Sequence, residues 1–174
     1  MKIIKSFSYR FAEEILDSAF NQLKNEIISA ISDSDWIFID PPKTRIRKDK
    51  IVAQLDINQR ETNKSIELQF QKLGWTCQPK IISNSSSNLV ADFKKDKIQV
   101  EVQFGNMARW YTDIFKFLLS YSADDIEIGV LIVPVLDTAK RIDENVVNFE
   151  RIIRELPHAK MGITLPIWII GVGV

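Results

Sequence analysis

The sequence predicts an α/β protein with a mixed central β-sheet flanked by helices on both faces. Segments with helical spacing and segments with strand character alternate along the chain, which favours a sheet covered by helices. Residues 126–135 form a near-continuous apolar run, which is typical of a strand buried on both faces. The 174 residues are 45% hydrophobic and 26% charged, so we expect one globular domain over residues 1–174.

The first elements follow from apolar spacing and from proline. Apolar residues recur at helical intervals over residues 11–31, which predicts a long amphipathic helix. Residues 36–39 are a short strand candidate, and we expect Pro41 and Pro42 to end it because proline interrupts strand pairing. Residues 51–57 are a further strand candidate.

The next elements lead toward the centre of the chain. Residues 66–73 have helical spacing and run into Gly74, a common residue just after a helix. Residues 76–82 predict a short strand, and the polar residues 83–88 predict a loop.

Residues 92–104 predict a tight β-hairpin that carries acidic groups. With the turn centred on Asp96-Lys97, Asp92 lies directly opposite Glu101. Glu101 and Gln103 then share one face, and the apolar residues between them share the other. Opposed carboxylates repel unless they are protonated or bridged by a cation, and Mg²⁺ prefers oxygen ligands. The hairpin therefore predicts half of a magnesium site, with a surface turn of solvated acids as the alternative.

The last elements alternate again. Residues 107–121 predict an aromatic-rich amphipathic helix, which contributes to the core and could also form a dimer seam. Asp113 in this helix is expected on a solvated face. Residues 143–156 predict another helix, and residues 166–174 predict a final strand.

Charge and composition restrict the functional classes. Lys+Arg and Asp+Glu both number 23, so the net charge gives no general support for nucleic-acid binding. Basic residues nevertheless cluster at 43–50, either as a phosphate-contacting segment or as a solvated loop. One cysteine and one histidine exclude an internal disulfide and a multi-histidine metal site. We find no signal peptide and no apolar run of about 20 residues, so we expect a cytoplasmic protein with no membrane contact.

The hairpin motif resembles the active site of a known enzyme group. The pattern Asp92-x8-Glu101-x-Gln103, with the strand Glu101-Val102-Gln103-Phe104, is similar to that of the BglII and BstYI group of type II restriction endonucleases. This group belongs to the PD-(D/E)XK nuclease superfamily. The resemblance extends to residues 12–16, 73–75, 126–130 and 166–172, and it implies a restriction-endonuclease-like fold.

The resemblance implies a prokaryotic homodimer that cleaves double-stranded DNA at a short palindrome with Mg²⁺, possibly at a site with a GATC core. Asp92 and Glu101 would be metal ligands, together with the backbone carbonyl of Val102. Gln103 would occupy the position where most of the superfamily uses lysine to orient or activate the attacking water. Gln78 would be a further polar residue of the catalytic site.

The resemblance also implies which residues contact DNA. Asn106 follows the catalytic strand, and residues 140–145 replace a serine-rich base-reading loop of close relatives with side chains that can read base edges. With Lys43, Arg45 and Arg47 of the basic cluster, the predicted DNA-contacting residues also include Asn106, Arg141, Asp143, Glu144 and Asn145. Two other classes stay open: another nuclease of the superfamily, acting in repair or on junctions, and a non-catalytic DNA-binding protein with a degenerate site.

Overall fold

The structure, a computed structural model, describes residues 1–47, 50–82 and 86–174, and for residues 47 and 50–53 it describes the backbone alone. The first half comprises β1 (Lys2–Tyr9), α1 (Ala12–Ala19), α2 (Asn21–Ser32), β2 (Phe38–Arg47), β3 (Lys50–Ile57), α3 (Gln59–Lys72) and β4 (Thr76–Cys77). The second half comprises β5 (Phe93–Lys95), β6 (Ile98–Val102), α4 (Arg109–Ser122), β7 (Ile128–Pro134), α5 (Leu136–Ile142), α6 (Phe149–Glu155), a 3-10 turn (Leu156–Ala159) and β8 (Ile167–Gly173).

The described strands form a mixed sheet and a separate ribbon. The sheet has the order β1-β8-β7-β6-β5-β4, and β2 pairs with β3 alone. Strands β6, β7 and β8 pair in parallel, whereas the outer pairs are antiparallel. All residues of β7 and β8 are buried, as their apolar runs predict. The predicted mixed sheet is therefore confirmed.

Helices cover both faces of this sheet. Alternate residues of its central strands point to opposite sides, so the sheet contributes side chains to two cores. Val130 and Ile170 belong to a core shared with α1, α2, α3 and α5. Leu131 and Ile169 belong to a second core, shared with α4 and α6. Strand β6 lies where the sheet changes from parallel to antiparallel pairing, between β7 and β5.

Two predictions about the N-terminal part need correction. Residues 2–9 form β1, an edge strand antiparallel to β8 that its mixed apolar and charged sequence did not indicate. The predicted helix over residues 11–31 is two helices, because Phe20 leaves the helical conformation at φ −133° and ψ 33°. The apolar spacing continues across this break, so spacing alone cannot reveal it.

Pro41 and Pro42 do not end their strand, contrary to the prediction. They lie inside β2, whose only partner among the described residues is β3. Proline has no backbone N–H to donate, and no second strand among the described residues pairs with β2 and requires such a donor. The pairing register is irregular between Phe38 and Lys43, where the prolines fall.

Other boundaries also differ from the predictions. The strand predicted at residues 76–82 is limited to β4, and residues 83–85 of the predicted loop lie outside the described residues. Residues 136–142 form the unpredicted helix α5. The helix predicted from residue 143 begins at Phe149, because Asn148 caps it by accepting a hydrogen bond from the backbone of Arg151 at 3.0 Å. No helix among the described residues has the length and apolar character that a membrane span requires.

Candidate active site

Strand β6 and the residue that follows it present polar side chains to helix α4. Gln99, Glu101 and Gln103 alternate with the apolar residues of this segment, and all three are buried. Val100 and Phe104 point the other way, into the core beneath α3. The predicted division of the two faces is confirmed, and it places amides and a carboxylate where a core strand would normally carry apolar groups.

The Glu101 carboxylate is held from two sides. Gln99 Nε2 donates to Glu101 Oε1 at 2.8 Å, and Ser120 Oγ in turn donates to Gln99 Oε1 at 2.7 Å. Lys116 Nζ donates to Glu101 Oε2 at 2.6 Å. Burial is the main cause that raises the pKa of Glu101 from 4.5 to about 8, the Asp92 charge adds to the rise, and Lys116 opposes it.

Asp92 lies at the start of the hairpin. Phe93 pairs with Val100, as expected for a turn at Asp96-Lys97, so the next opposed pair along the two strands is Asp92 and Glu101. Asp92 Oδ2 accepts a hydrogen bond from the backbone of Val102 at 2.7 Å. Burial raises the pKa of Asp92, although this hydrogen bond acts in the opposite direction.

Helix α4 adds a charged pair to the site. Asp113 is only 4% exposed, so it does not lie on the solvated helix face that we expected. Gln103 Nε2 donates to Asp113 Oδ2 at 2.7 Å, and Gly105 N donates to Gln103 Oε1 at 3.0 Å. Lys116 Nζ lies 3.1 Å from Asp113 Oδ1. Burial alone would lower the pKa of Lys116, but the two carboxylates outweigh it and raise the pKa, so the ammonium is charged at neutral pH.

Two cavities meet at Asp92. The larger, about 340 Å³, is lined by Asp92, Val102, Gln103 and Lys116 among others. The smaller, about 160 Å³, is lined by Asn63, Glu67, Gln78, Asp92, Phe93 and Val102. Asn63 lines both, and its buried Oδ1 has no hydrogen-bond partner in the part of the chain that the structure describes. Glu101 lines neither cavity and is 0% exposed, so its carboxylate lies behind the cavity wall.

Gln78 lies on the same side of the hairpin as Asp92. Its backbone N–H donates to the carbonyl oxygen of Asp92 at 3.0 Å, and its φ of 52° is in the left-handed region. The structure thus brings together Gln78, Asp92, Glu101, Val102 and Gln103, the five residues predicted for the catalytic and metal site.

The predicted DNA-contacting residues lie around a neighbouring groove of about 540 Å³. Lys43, Asn106, Asp143 and Asn145 line it, and Gly105 connects it to the hairpin strand. Asn106 Oδ1 accepts from the backbone N–H of Ala108 at 2.8 Å, which fixes its side chain.

The other predicted DNA-contacting residues are engaged with each other or with the ribbon. Arg45 lies 3.1 Å from Glu144 and 3.9 Å from Asp143. Arg141 makes two hydrogen bonds to the carboxylate of Asp56, at 2.9 and 2.6 Å. The side chain of Arg47 lies outside the described residues.

Sequence reasoning missed Asn63, Asp113 and Lys116 as neighbours of the hairpin. All three lie on helices, and their distance in the sequence from the hairpin motif gives no indication that they contact it. The sequence held one signal: Asp113 and Lys116 are three residues apart on a helix whose other inward positions are mainly apolar or aromatic. Among the described residues, no three His, Cys, Asp or Glu side chains are grouped so that they could hold one metal ion.

Comparisons with known proteins show which family and which solved structures this chain is similar to. The family model described as restriction endonuclease BglII/BglIII matches residues 4–172. The crystal structure of restriction endonuclease BglII complexed with a DNA 16-mer has 19% identity and a TM-score of 0.79, covering 98% of this chain and 76% of that chain. The crystal structure of free BglII has 18% identity and a TM-score of 0.71, covering 100% and 80%. A search of curated proteins found no match. The structural likeness confirms the restriction-endonuclease-like fold.

Proposed function

Because this chain belongs to the BglII/BglIII family of restriction endonucleases, we propose that it hydrolyses phosphodiester bonds in double-stranded DNA at a short palindromic site, with Mg²⁺ and as a homodimer. The observation that carries the proposal is the hairpin register. It sets the half-buried Asp92, which lines a polar cavity, opposite the fully buried Glu101, and few structural purposes require such a pair of carboxylates on neighbouring strands.

The residues around the cavity fit a divalent cation. Asp92, Glu101, Asp113 and Glu67 carry four negative charges around the two cavities when ionised, and Lys116 and Arg109 carry two positive charges. The remaining charge of −2 equals what one Mg²⁺ neutralises, and a buried uncompensated charge is strongly unfavourable. Carboxylate and carbonyl oxygens are also the ligands that Mg²⁺ prefers.

We assign Asp92 and the Val102 carbonyl as the protein groups that would hold the ion. One oxygen of Asp92 accepts from the Val102 N–H, which orients the carboxylate and leaves its other oxygen for the cation. Both oxygens of Glu101 already accept hydrogen bonds and Glu101 does not line the cavity, so it would contribute its charge, and a water of the ion would find its acceptors among the groups that line the cavity. The free Oδ1 of Asn63 is a further oxygen that such a water could meet.

The chemistry is hydrolysis of a phosphate ester. A bound Mg²⁺ supplies a more acidic water and offsets phosphate charge. The water oxygen forms a bond to phosphorus and releases a proton to solvent, one ester P–O bond breaks, and the departing oxygen takes up a proton. Gln103 is neutral and cannot accept the proton of the attacking water at neutral pH, so its role is to orient neighbouring groups through its hydrogen bond to Asp113.

We place the DNA along the groove that adjoins the cavity. Lys43 supplies a positive charge for phosphates, and the amides of Asn106 and Asn145 are suited to base edges. For the dimer, we propose the outer face of α4, where Tyr111 and Phe115 are half exposed, 51% and 55%. A two-fold dimer would match the symmetry of a palindrome. A GATC core and the contacts of Arg47 stay predictions.

Digestion of a sequenced plasmid with Mg²⁺, followed by mapping of the cut ends, tests the proposal. Asp92→Asn should abolish cleavage and keep binding to the mapped duplex in Ca²⁺, measured by gel shift. Asp96→Asn is the matched control, because Asp96 is exposed at the turn of the same hairpin and asparagine tolerates its φ of 49°.

Cleavage by Asp92→Asn at the wild-type rate would contradict the site. Cleavage of branched or damaged DNA without cleavage of any plain duplex would indicate another nuclease function. Sedimentation of the DNA-bound chain as a monomer would contradict the dimer.

A further inference from the structure

The Lys116 ammonium lies at the wall of the Asp92 cavity. Its Nζ is 2.6 Å from Glu101 Oε2 and 3.1 Å from Asp113 Oδ1, and its side chain is 14% exposed. It lines the larger cavity together with Asp92 and Val102, whereas its partner Glu101 does not. Lys116 and Asp113 are therefore the members of this ion-pair network that line the cavity, and Lys116 is the one that carries a positive charge.

Neither carboxylate depends on Lys116 alone for its orientation. Glu101 Oε1 is fixed by Gln99, which Ser120 holds from the inner side of the helix. Asp113 Oδ2 is fixed by Gln103 Nε2. Gln99 and Gln103 are neutral donors, whereas Lys116 adds a full positive charge. A buried ion pair by itself contributes little net stability, so stability does not explain this charge.

An ammonium group has three N–H donors. Within the described residues, Glu101 Oε2 accepts from Lys116 and Asp113 Oδ1 lies at ion-pair distance, which leaves at least one donor for a group in the cavity. A polar cavity whose wall carries a positive charge with a spare donor fits a negatively charged oxygen.

We propose that Lys116 is a catalytic residue of the nuclease reaction, with its ammonium group contacting a non-bridging oxygen of the scissile phosphate. This inference rests on the function proposed above. When water adds to phosphorus, negative charge increases on the non-bridging oxygens. A fixed cation at the cavity wall stabilises that charge more in the transition state than in the bound substrate. Gln103 cannot supply it, because its amide is neutral.

The first test is Lys116→Met, which keeps the length of the side chain and removes the charge. We expect the single-turnover cleavage rate on the mapped duplex to fall by about 100-fold or more in Mg²⁺. A second readout does not need catalysis. In Ca²⁺, the slope of log binding constant against log salt concentration should become shallower by about 0.9, the value for one lost phosphate contact.

Lys64→Met is the matched control. Lys64 forms an i,i+3 ion pair with Glu61 at 2.8 Å on α3, like the pair of Lys116 with Asp113, but its side chain is 55% exposed. We expect its cleavage rate and salt dependence to equal those of the wild type.

A double variant separates catalysis from charge balance. Asp113→Asn with Lys116→Met removes one charge of each sign, so the net charge of the cluster is unchanged and Asp113 is not left as an unpaired carboxylate. If Lys116 only neutralises Asp113, the double variant should cleave like the wild type, and that result would overturn the proposal. A folded double variant that still cleaves about 100-fold more slowly and has the shallower salt slope supports it.

The outcomes also separate this inference from the proposed function. Wild-type cleavage by Lys116→Met, with an unchanged salt slope, overturns the role of Lys116 and leaves the nuclease assignment intact. Absence of cleavage by the wild-type chain on any DNA overturns both.

Discussion

Replacing Glu101 by glutamine should stabilise the metal-free fold at alkaline pH. In the folded chain, burial and the neighbouring Asp92 raise the pKa of Glu101 from 4.5 to about 8. Below pH 4.5 this carboxyl is protonated in both the folded and the unfolded chain. Above that pH the unfolded chain releases the proton first, so the free energy of unfolding falls as the pH rises and levels off above about 8.

The size of the effect follows from the same two pKa values. Each pKa unit corresponds to about 1.36 kcal/mol, so ionising Glu101 lowers the free energy of unfolding by up to about 5 kcal/mol. About 4 kcal/mol of this falls between pH 5 and pH 9. The glutamine variant does not titrate and lacks this loss. Comparing two pH values also removes any constant effect of the lost acceptor for Lys116.

The measurement is urea unfolding in EDTA at pH 5 and pH 9, followed by tryptophan fluorescence. The stability of Glu101→Gln relative to the wild type should increase by about 4 kcal/mol between the two pH values. Glu127→Gln, which changes an exposed carboxylate, should show no such increase. If the difference between Glu101→Gln and the wild type is the same at both pH values, the interpretation of Glu101 as a buried, destabilised carboxylate is wrong.

Two further predictions concern the packing around the site. Gly129→Ala should destabilise the fold by about 1–3 kcal/mol in urea unfolding, because its new Cβ would lie 2.9 Å from the buried ring of Phe117; Gly162→Ala, whose nearest atom is 3.9 Å away, is the control. Asp56→Asn should weaken the contact between the ribbon and α5 by about 0.5–1 kcal/mol, because it removes the negative charge and one of the two oxygens that accept from Arg141 at a partly exposed site. Hydrogen exchange of the amide of Leu55 reports that change, and unaltered protection would show that the ion pair does not hold the ribbon.

Local rules predicted most of the hairpin. The two-residue alternation of β6 and the length of the turn fixed the opposition of Asp92 and Glu101, because neither depends on distant residues. The apolar runs likewise identified β7 and β8 as buried strands. Local rules failed at β1 and at the prolines of β2, where the position of a strand at an edge decides what is tolerated.

The amino-acid sequence by itself determined the fold class and the strand that carries the acidic motif, since these follow from periodicity and from neighbouring residues, and the resemblance of that motif indicated the family. The tertiary structure alone decided that Asp113 is buried, that Lys116 reaches Glu101 at 2.6 Å, and that Arg141 is bound to Asp56. These contacts join residues of separate elements, and only the packing of α4 against β6 and of α5 against the ribbon brings their charges together. The pKa of Glu101 belongs to the same class, because burial and the charges around it exist only in the folded chain.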